Sequence, residues 1–194
     1  MMAPSGIALY GPPASGKDTV TQALIALDER YVHFRRLKVG GGRTDGYRVC
    51  TDEHLDDLRD QGLIVYENVR YKSRYAIDRP ALDALLARGL VPVVHLGQLA
   101  GVYALVRYPA LWLPVLLHCR RTTAAQRARQ RGSVDITARL EAWDETEREL
   151  VGARPDDFAL RVDTDRSSPA QAAQAIDAQL QRMQTSGRSA SSRR

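Results

Sequence analysis

Apolar residues recur along the chain in short runs that alternate with stretches of helical spacing. The first run, residues 7–10 (IALY), has the length and composition of a buried strand. It is followed by Val20, Ala23, Leu24 and Leu27, which are spaced as one face of a helix. Residues 91–96 and 113–118 are further apolar runs that predict buried strands. This alternation predicts an α/β fold with a parallel central sheet.

The region of residues 32–76 has a different pattern. Its extended segments are short, and a glycine-rich stretch over residues 40–46 ends in the turn signal Asp45-Gly46. We therefore expect an antiparallel insertion here. Towards the C-terminus, an arginine-rich helix is predicted for about residues 122–131, and another helix begins near residue 135.

Composition narrows the class of protein. Hydrophobic residues make up 44% of the 194 residues and charged residues 26%, and no apolar run is long enough to span a bilayer. The first residues lack the features of a signal peptide, and Cys50 and Cys119 form neither a metal-ligand spacing nor a disulfide framework. We expect a cytoplasmic protein without a membrane partner.

The net charge of +5 is concentrated at the C-terminus. Residues 182–194 contain four arginines and no acidic residue, so they carry most of that charge. The serine-rich segment 183–194 has little to bury and is predicted to be a disordered tail. Because the rest of the chain is nearly neutral, we expect no nucleic-acid partner.

The most specific motif directly follows the first predicted strand. Glycines there allow successive amide groups to turn towards one anion, a lysine adds a positive charge, and a helix begins at that lysine. The order of strand, loop and helix is typical of a phosphate-binding loop, which predicts a site for the phosphates of ATP. Its residues are Gly11, Pro12, Pro13, Ala14, Ser15, Gly16, Lys17, Asp18 and Thr19.

The motif has one unusual position. Asp18 stands where a serine or threonine usually follows the lysine, and the hydroxyl comes one residue later, at Thr19. Since Mg²⁺ prefers oxygen ligands, Asp18 and Thr19 are the candidate Mg²⁺ residues, either directly or through water. Asp18 has two other interpretations: contact with the acceptor, or stabilisation of the first helical turn through the helix dipole.

The chain resembles the guanylate kinase family of nucleoside monophosphate kinases. The phosphate loop carries most of this resemblance, and the weaker segments are residues 46–49 (GYRV), 52–58, 62–67, 75–77 (YAI), 127–132 (RARQRG) and 139–140. The resemblance implies a three-layer P-loop kinase that uses ATP and Mg²⁺. It also implies a core over residues 1–31, 77–121 and 141–182, an acceptor-binding insertion over 32–76 and a short lid over 122–140.

The resemblance further implies an acceptor site. Arg36, Tyr47 and Tyr75 match residues that bind the acceptor phosphate, and Glu67 matches a glutamate that binds the Watson–Crick edge of guanine. The position of the family's second phosphate-binding arginine holds a valine, so Lys38 or Arg43 is expected to substitute. Where the family has an acidic residue this chain has His95-Leu96-Gly97-Gln98, which makes His95 and Gln98 candidates for contact with the acceptor or with metal-bound water.

Arginines of the predicted lid complete the set of cationic residues. Arg127 and Arg131 are four residues apart and share a helix face, and Arg139 follows a short loop. Together with Lys17, these are the candidate catalytic residues, because they can neutralise the charge on a transferred phosphoryl group. The predicted reaction is transfer of the ATP γ-phosphate to a nucleoside monophosphate such as GMP, by a monomer or homodimer.

Two other functions compete with this prediction. Asp18 favours a kinase of a phosphorylated sugar such as ribose 1,5-bisphosphate, since the relative that phosphorylates that sugar also has a Gly-Lys-Asp loop. A non-catalytic binding module, like the guanylate-kinase-like scaffold domains, is the third possibility. Such modules typically lose the phosphate loop and the lid arginines, and this chain keeps both.

Overall fold

The computed structural model describes residues 4–42, 44–70, 72–132 and 135–191. The strands are β1 (Ser5–Tyr10), β2 (Tyr31–His33), β3 (Arg36–Val39), β4 (Tyr47–Val49), β5 (Ile64–Arg70), β6 (Ser73–Asp78), β7 (Val91–Leu96), β8 (Leu111–His118) and β9 (Leu160–Asp163). The helices are α1 (Lys17–Leu27), α2 (Asp52–Asp60), α3 (Arg79–Ala87), α4 (Leu99–Val106), α5 (Arg121–Gln130), α6 (Ile136–Val151) and α7 (Pro169–Ser191), with a 3₁₀ turn at Pro155–Asp157.

The central sheet has five parallel strands in the order β2-β7-β1-β8-β9. Ile7 of β1 pairs with Val93 of β7 on one side and with Leu113 of β8 on the other. Every residue of β1 is buried, as expected for a central strand covered on both faces. The predicted parallel α/β sheet is confirmed.

Helices cover the central sheet on both faces. Side chains of a strand alternate between the faces, so Ile7 and Leu9 pack with α1 and α7, whereas Ala8 and Tyr10 pack with α3 and α4. The result is a three-layer α/β structure whose central strand ends between the two helical layers.

The smaller sheet has the order β4-β3-β6-β5 and packs α2 on one face through Leu37, Leu55 and Ala76. The prediction of an antiparallel insertion is only partly correct: β6 is antiparallel to β3 and β5, but β4 runs parallel to β3. Gly40, Gly42 and Gly46 all have positive φ angles, which allow the chain to turn back and place β4 beside β3 in the same direction.

The insertion also begins later than predicted. The expected boundary placed residues 32–76 in the insertion, but Tyr31–His33 forms β2 of the central sheet, where Tyr31 pairs with Val91. The tyrosine hydroxyl donates to Asp177 of α7 at 2.6 Å, which ties this short strand to the core. The small sheet therefore extends from Arg36 to Asp78.

The C-terminal segment differs from the predicted disordered tail over residues 183–194. Helix α7 extends to Ser191, and within it Met183 packs on the core and Gln184 donates to the Ser5 hydroxyl at 2.8 Å. Residues 192–194 lie outside the described residues. Although α7 has 23 residues, neither it nor any other helix in the described part of the chain is long and apolar enough to cross a membrane.

Candidate active site

The phosphate loop lies at the carboxyl edge of the central sheet, between β1 and α1. Its first residue, Gly11, donates its amide to the Leu96 carbonyl at the end of β7 at 3.2 Å. A Cβ on Gly11 would come within 2.3 Å of the Leu117 carbonyl oxygen of β8, so only glycine fits. Ligands of parallel α/β sheets bind at this edge.

The loop is shaped to present its amide groups. Ala14 and Gly16 have φ angles of 61° and 98°, in the left-handed region that reverses the direction of successive amides. The amides at the start of α1 have no partner within the helix, and the Ser15 hydroxyl is buried with no hydrogen-bond partner in the described residues. Such an arrangement binds an anion such as a phosphate.

Lys17 folds back over the loop. Its ammonium group donates to the carbonyl oxygens of Gly11 at 2.6 Å and Pro12 at 2.8 Å. The pKa of Lys17 is lowered to about 8, mainly by enclosure in the loop and the cleft; the guanidinium groups of Arg70 and Arg36 contribute to the lowering, and Asp18 opposes it. A bound phosphate would add negative charge beside this enclosed cation.

Arg127, on α5, stabilises the phosphate loop through hydrogen bonds. Its guanidinium donates to the Ala14 carbonyl at 3.2 Å and to the hydroxyl and carbonyl oxygens of Thr164 at 3.0 and 2.8 Å. The same threonine hydroxyl donates to Ser15 O at 3.0 Å. Arg127 and Thr164 border a pocket of about 490 Å³ that also includes Thr19, on the side of the loop away from the small sheet.

A second cleft, of about 890 Å³, opens between the phosphate loop and the small sheet. It brings together the predicted acceptor residues Arg36, Tyr47, Tyr75, His95 and Gln98. From the loop and the predicted lid it brings in Lys17, Asp18, Arg131 and Arg139.

The cationic and aromatic side chains of this cleft are in mutual contact. The Arg36 guanidinium lies 5.2 Å from the centre of the Tyr75 ring and donates to Asn68 at 3.3 Å. The rings of Tyr47 and Tyr75 are 5.2 Å apart. Burial raises the pKa of Tyr75, so its hydroxyl remains a hydrogen-bond donor at neutral pH. One arginine and two phenol groups can together bind a phosphate.

Asp18 and His95 meet at the mouth of the cleft. Nδ1 of His95 lies 3.5 Å from the Asp18 carboxylate, and Nε2 lies 2.7 Å from the Thr21 hydroxyl. The His33 ring stacks on His95 with 4.3 Å between ring centres. The Asp18 side chain is 46% exposed and also approaches Arg131, at 3.9 Å. Asp18 and His95 therefore both border the cleft.

Glu67 does not lie among the residues that line the cleft. Its carboxylate accepts hydrogen bonds from Arg59 at 2.7 Å and from Arg74 at 2.9 Å, on the face of the small sheet that packs against α2. Asn68 pairs with Tyr75 and shares its face, whereas Glu67 pairs with Ala76 of the α2-facing core. The expectation that Glu67 recognises guanine is corrected by this strand alternation.

Lys38 and Arg43 are the two residues expected to substitute for the family's second phosphate-binding arginine. Lys38 is only 2% exposed, and its ammonium donates to the Gly41 carbonyl at 2.5 Å and lies 5.8 Å and 5.9 Å from the ring centres of Tyr47 and Tyr75. It supports the glycine turn and the tyrosines and does not line the cleft. Arg43 lies outside the described residues.

Three residues of β5 line the cleft without having been identified from the sequence: Tyr66, Asn68 and Arg70. The Tyr66 hydroxyl donates to Oε1 of Gln98 at 2.7 Å. Their spacing of two residues was the available signal, because alternate residues of a strand share a face. The structure thus gives the cleft an additional cation and a wall of neutral hydrogen-bonding groups.

Two residues of the phosphate loop, Asp18 and Thr19, are the candidate Mg²⁺ ligands. In the described ranges, no group of three or more His, Cys, Asp or Glu side chains is arranged to hold a metal ion. Mg²⁺ in phosphotransferases is commonly bound by one carboxylate together with phosphate oxygens, which fits Asp18 at the cleft mouth. Thr19 borders the other pocket, so the two predicted ligands face different sides of the loop.

Comparison with known proteins supports the same architecture. No family model and no curated protein matches the chain. Among solved structures, guanylate kinase from Anaplasma phagocytophilum matches with a TM-score of 0.65 and 14% identity, over 95% of this chain and 89% of that one. A gluconokinase from Sinorhizobium meliloti 1021 matches with a TM-score of 0.55 and 20% identity, over 96% and 97%. The chain therefore has the α/β fold of the P-loop kinases.

Proposed function

We propose that this protein transfers the γ-phosphoryl group of ATP to the phosphate of a small phosphorylated acceptor, in the manner of a guanylate-kinase-like enzyme. One observation carries the proposal: the phosphate loop, with its enclosed Lys17, opens directly onto a cleft that contains Arg36, Tyr47 and Tyr75. Two anion sites that share one cleft are what phosphoryl transfer between two anionic reactants requires.

Each reactant has its own set of residues. The loop amides and Lys17 hold the donor phosphates, with Arg127 bracing the loop. Arg36 and the two tyrosines hold the acceptor phosphate. Arg131 and Arg139 lie at the same cleft, where they stabilise the charge of the moving group. An acceptor phosphate is already ionised at neutral pH, so the reaction needs no general base.

Asp18 is the proposed protein ligand for Mg²⁺, directly or through water. The ion, when bound, neutralises charge on the β- and γ-phosphates. His95 keeps the Asp18 carboxylate turned into the cleft, since its Nδ1 lies 3.5 Å from Oδ1. Thr19, on the other side of the loop, is placed to contact the α-phosphate of the donor.

The cleft favours a phosphorylated sugar over a guanine nucleotide as acceptor. Glu67, the carboxylate expected to accept from guanine, is paired with Arg59 and Arg74 on the other face of the sheet. The cleft wall instead offers Asn68 and the Tyr66–Gln98 pair, whose neutral groups suit sugar hydroxyls. GMP remains the alternative acceptor, in keeping with the likeness to a guanylate kinase fold.

A coupled assay of ADP release tests the proposal. Ribose 1,5-bisphosphate, GMP and AMP are compared with wild type, Lys17→Met and Lys72→Met, a control that removes an exposed lysine from the β5–β6 turn. We expect acceptor-dependent ADP release in wild type and Lys72→Met, highest with the sugar bisphosphate, and none in Lys17→Met. Equal rates in wild type and Lys17→Met with all three compounds would contradict the proposal.

A further inference from the structure

Arg70, the last residue of β5, brings into the cleft a guanidinium group to which no role has been given above. Its side chain is 17% exposed. Nη1 donates to the Gly97 carbonyl at 3.3 Å and Nη2 to the Ala142 carbonyl at 3.2 Å. The group is therefore held in a defined position between the small sheet, the end of β7 and α6.

The counter-ion of Arg70 comes from α6. Nη2 donates to Oε2 of Glu145 at 2.9 Å, and the Glu145 side chain is 57% exposed. One turn later on the same helix, Glu149 accepts from the Tyr10 hydroxyl at 2.8 Å and from the Leu99 amide at 3.0 Å, which fixes α6 to the core. The exposed Glu145 carboxylate can separate from Arg70 and be hydrated at a small cost in free energy, whereas the two carbonyl groups keep the Arg70 guanidinium in place.

The Arg70 guanidinium occupies space that is open because residue 97 is a glycine. A Cβ added to Gly97 would come within 2.7 Å of Nη1 of Arg70. Gly97 itself lies in the cleft wall, next to Gln98. The glycine thus leaves the room that the guanidinium occupies.

Charge points to an anion at this position. Lys17, Arg36 and Arg70 border the same cleft as Asp18; burial is the main cause of the lowered pKa of Lys17, Arg70 and Arg36 lower it as well, and Asp18 raises it. Three like charges at one cleft repel one another, and a multiply charged anion between them offsets that repulsion better than a single exposed carboxylate.

We propose that Arg70 is the second acceptor-phosphate ligand, which acts beside Arg36 and exchanges its Glu145 partner for the phosphate. The inference deepens the proposed function and rests on it. It assigns to Arg70 the task that the sequence had suggested for Lys38 or Arg43; the Lys38 ammonium is bound to the Gly41 carbonyl instead.

The test measures binding of inorganic phosphate to protein saturated with Mg²⁺ and a non-hydrolysable ATP analogue, which fills the γ-phosphate position. Calorimetry gives the dissociation constants for wild type, Arg36→Met, Arg70→Met, Arg70→Lys, Glu145→Gln and Arg88→Met, an exposed control directly after α3. Analogue binding is measured first in each variant, and it shows that the variant is folded.

We expect Arg70→Met and Arg36→Met each to weaken phosphate binding about 10- to 100-fold, with Arg70→Lys in between and Arg88→Met unchanged. Glu145→Gln should tighten binding about two- to five-fold, because the competing charge is gone. Normal phosphate affinity in Arg70→Met, alongside weakened Arg36→Met, would overturn the inference and leave the proposed function intact. If analogue-saturated wild type binds no phosphate, the proposed function fails as well.

Discussion

Nε of Arg74 lies 2.9 Å from Oε1 of Glu67, on the face of the small sheet that is turned towards α2. Glu67 therefore lies on the opposite face of the small sheet from the cleft. We expect Glu67→Gln to change kcat/KM for any acceptor by no more than about two-fold, because no acceptor contact is lost. The thermal midpoint should fall, because the arginines lose their charged partner. Steady-state kinetics and thermal unfolding of the same preparation check both parts.

The neighbouring residue on the same strand is the matched control. Asn68 lies on the cleft face and accepts from Arg36 at 3.3 Å. Asn68→Ala should lower kcat/KM for the acceptor about ten-fold while leaving ATP binding unchanged. A large kinetic loss in Glu67→Gln together with a silent Asn68→Ala would show that the faces of β5 have been assigned the wrong way round.

The sequence predicted the parts of the fold that depend on local pattern. The buried runs 91–96 and 113–118 lie in β7 and β8, and residues 11–16 form the predicted loop between β1 and α1, which begins at Lys17. The prediction from sequence was wrong where long-range strand pairing determines which side chains face the cleft. Whether Glu67 or Asn68 faces the cleft depends on which of them pairs with Tyr75, and a strand's own sequence does not determine its register.

We expect Lys17 to destabilise the nucleotide-free protein. Its lowered pKa means that the folded state disfavours the charged lysine. This reduces the free energy of unfolding by its full amount below about pH 8, and the reduction disappears as the pH rises past the ordinary pKa of 10.5. At pH 7, Lys17→Met should therefore raise the free energy of unfolding of the nucleotide-free protein by about 1–2 kcal/mol while abolishing transfer. Urea denaturation of both proteins measures the difference. A Lys17→Met protein that is less stable than wild type would show that the two carbonyl contacts outweigh the cost of enclosing the charge.

The same pKa predicts how donor use depends on pH. Loss of the Lys17 proton removes the charge that attracts the phosphates, so kcat/KM for ATP should fall as pH rises above about 8. Bound phosphates stabilise the protonated lysine, so kcat should begin to fall only at higher pH. Initial rates between pH 6 and 10 at limiting and saturating ATP separate the two profiles. A kcat/KM for ATP that stays flat to pH 10 would contradict the assigned role of the Lys17 charge.

Gly97 offers a test of the Arg70 position without changing any charge. An alanine Cβ would come within 2.7 Å of Nη1 of Arg70, so Gly97→Ala should displace the guanidinium and raise the KM for the acceptor about 5- to 20-fold. The KM for ATP should remain the same. Gly41→Ala is the control, because nothing lies within 4 Å of its added Cβ. Equal acceptor KM values in Gly97→Ala and wild type would argue against a role for Arg70 in acceptor binding.

The most direct test of the account is the chemical identity of the phosphorylated product. Protein with Mg²⁺ and ATP is incubated with ribose 1,5-bisphosphate, with GMP or with gluconate, and each mixture is followed by ³¹P NMR, with Lys17→Met as the control. We expect a new phosphoanhydride signal from a phosphorylated acceptor, formed in step with ADP and absent from Lys17→Met. A new phosphomonoester from gluconate, or no product from either phosphorylated acceptor, would contradict it.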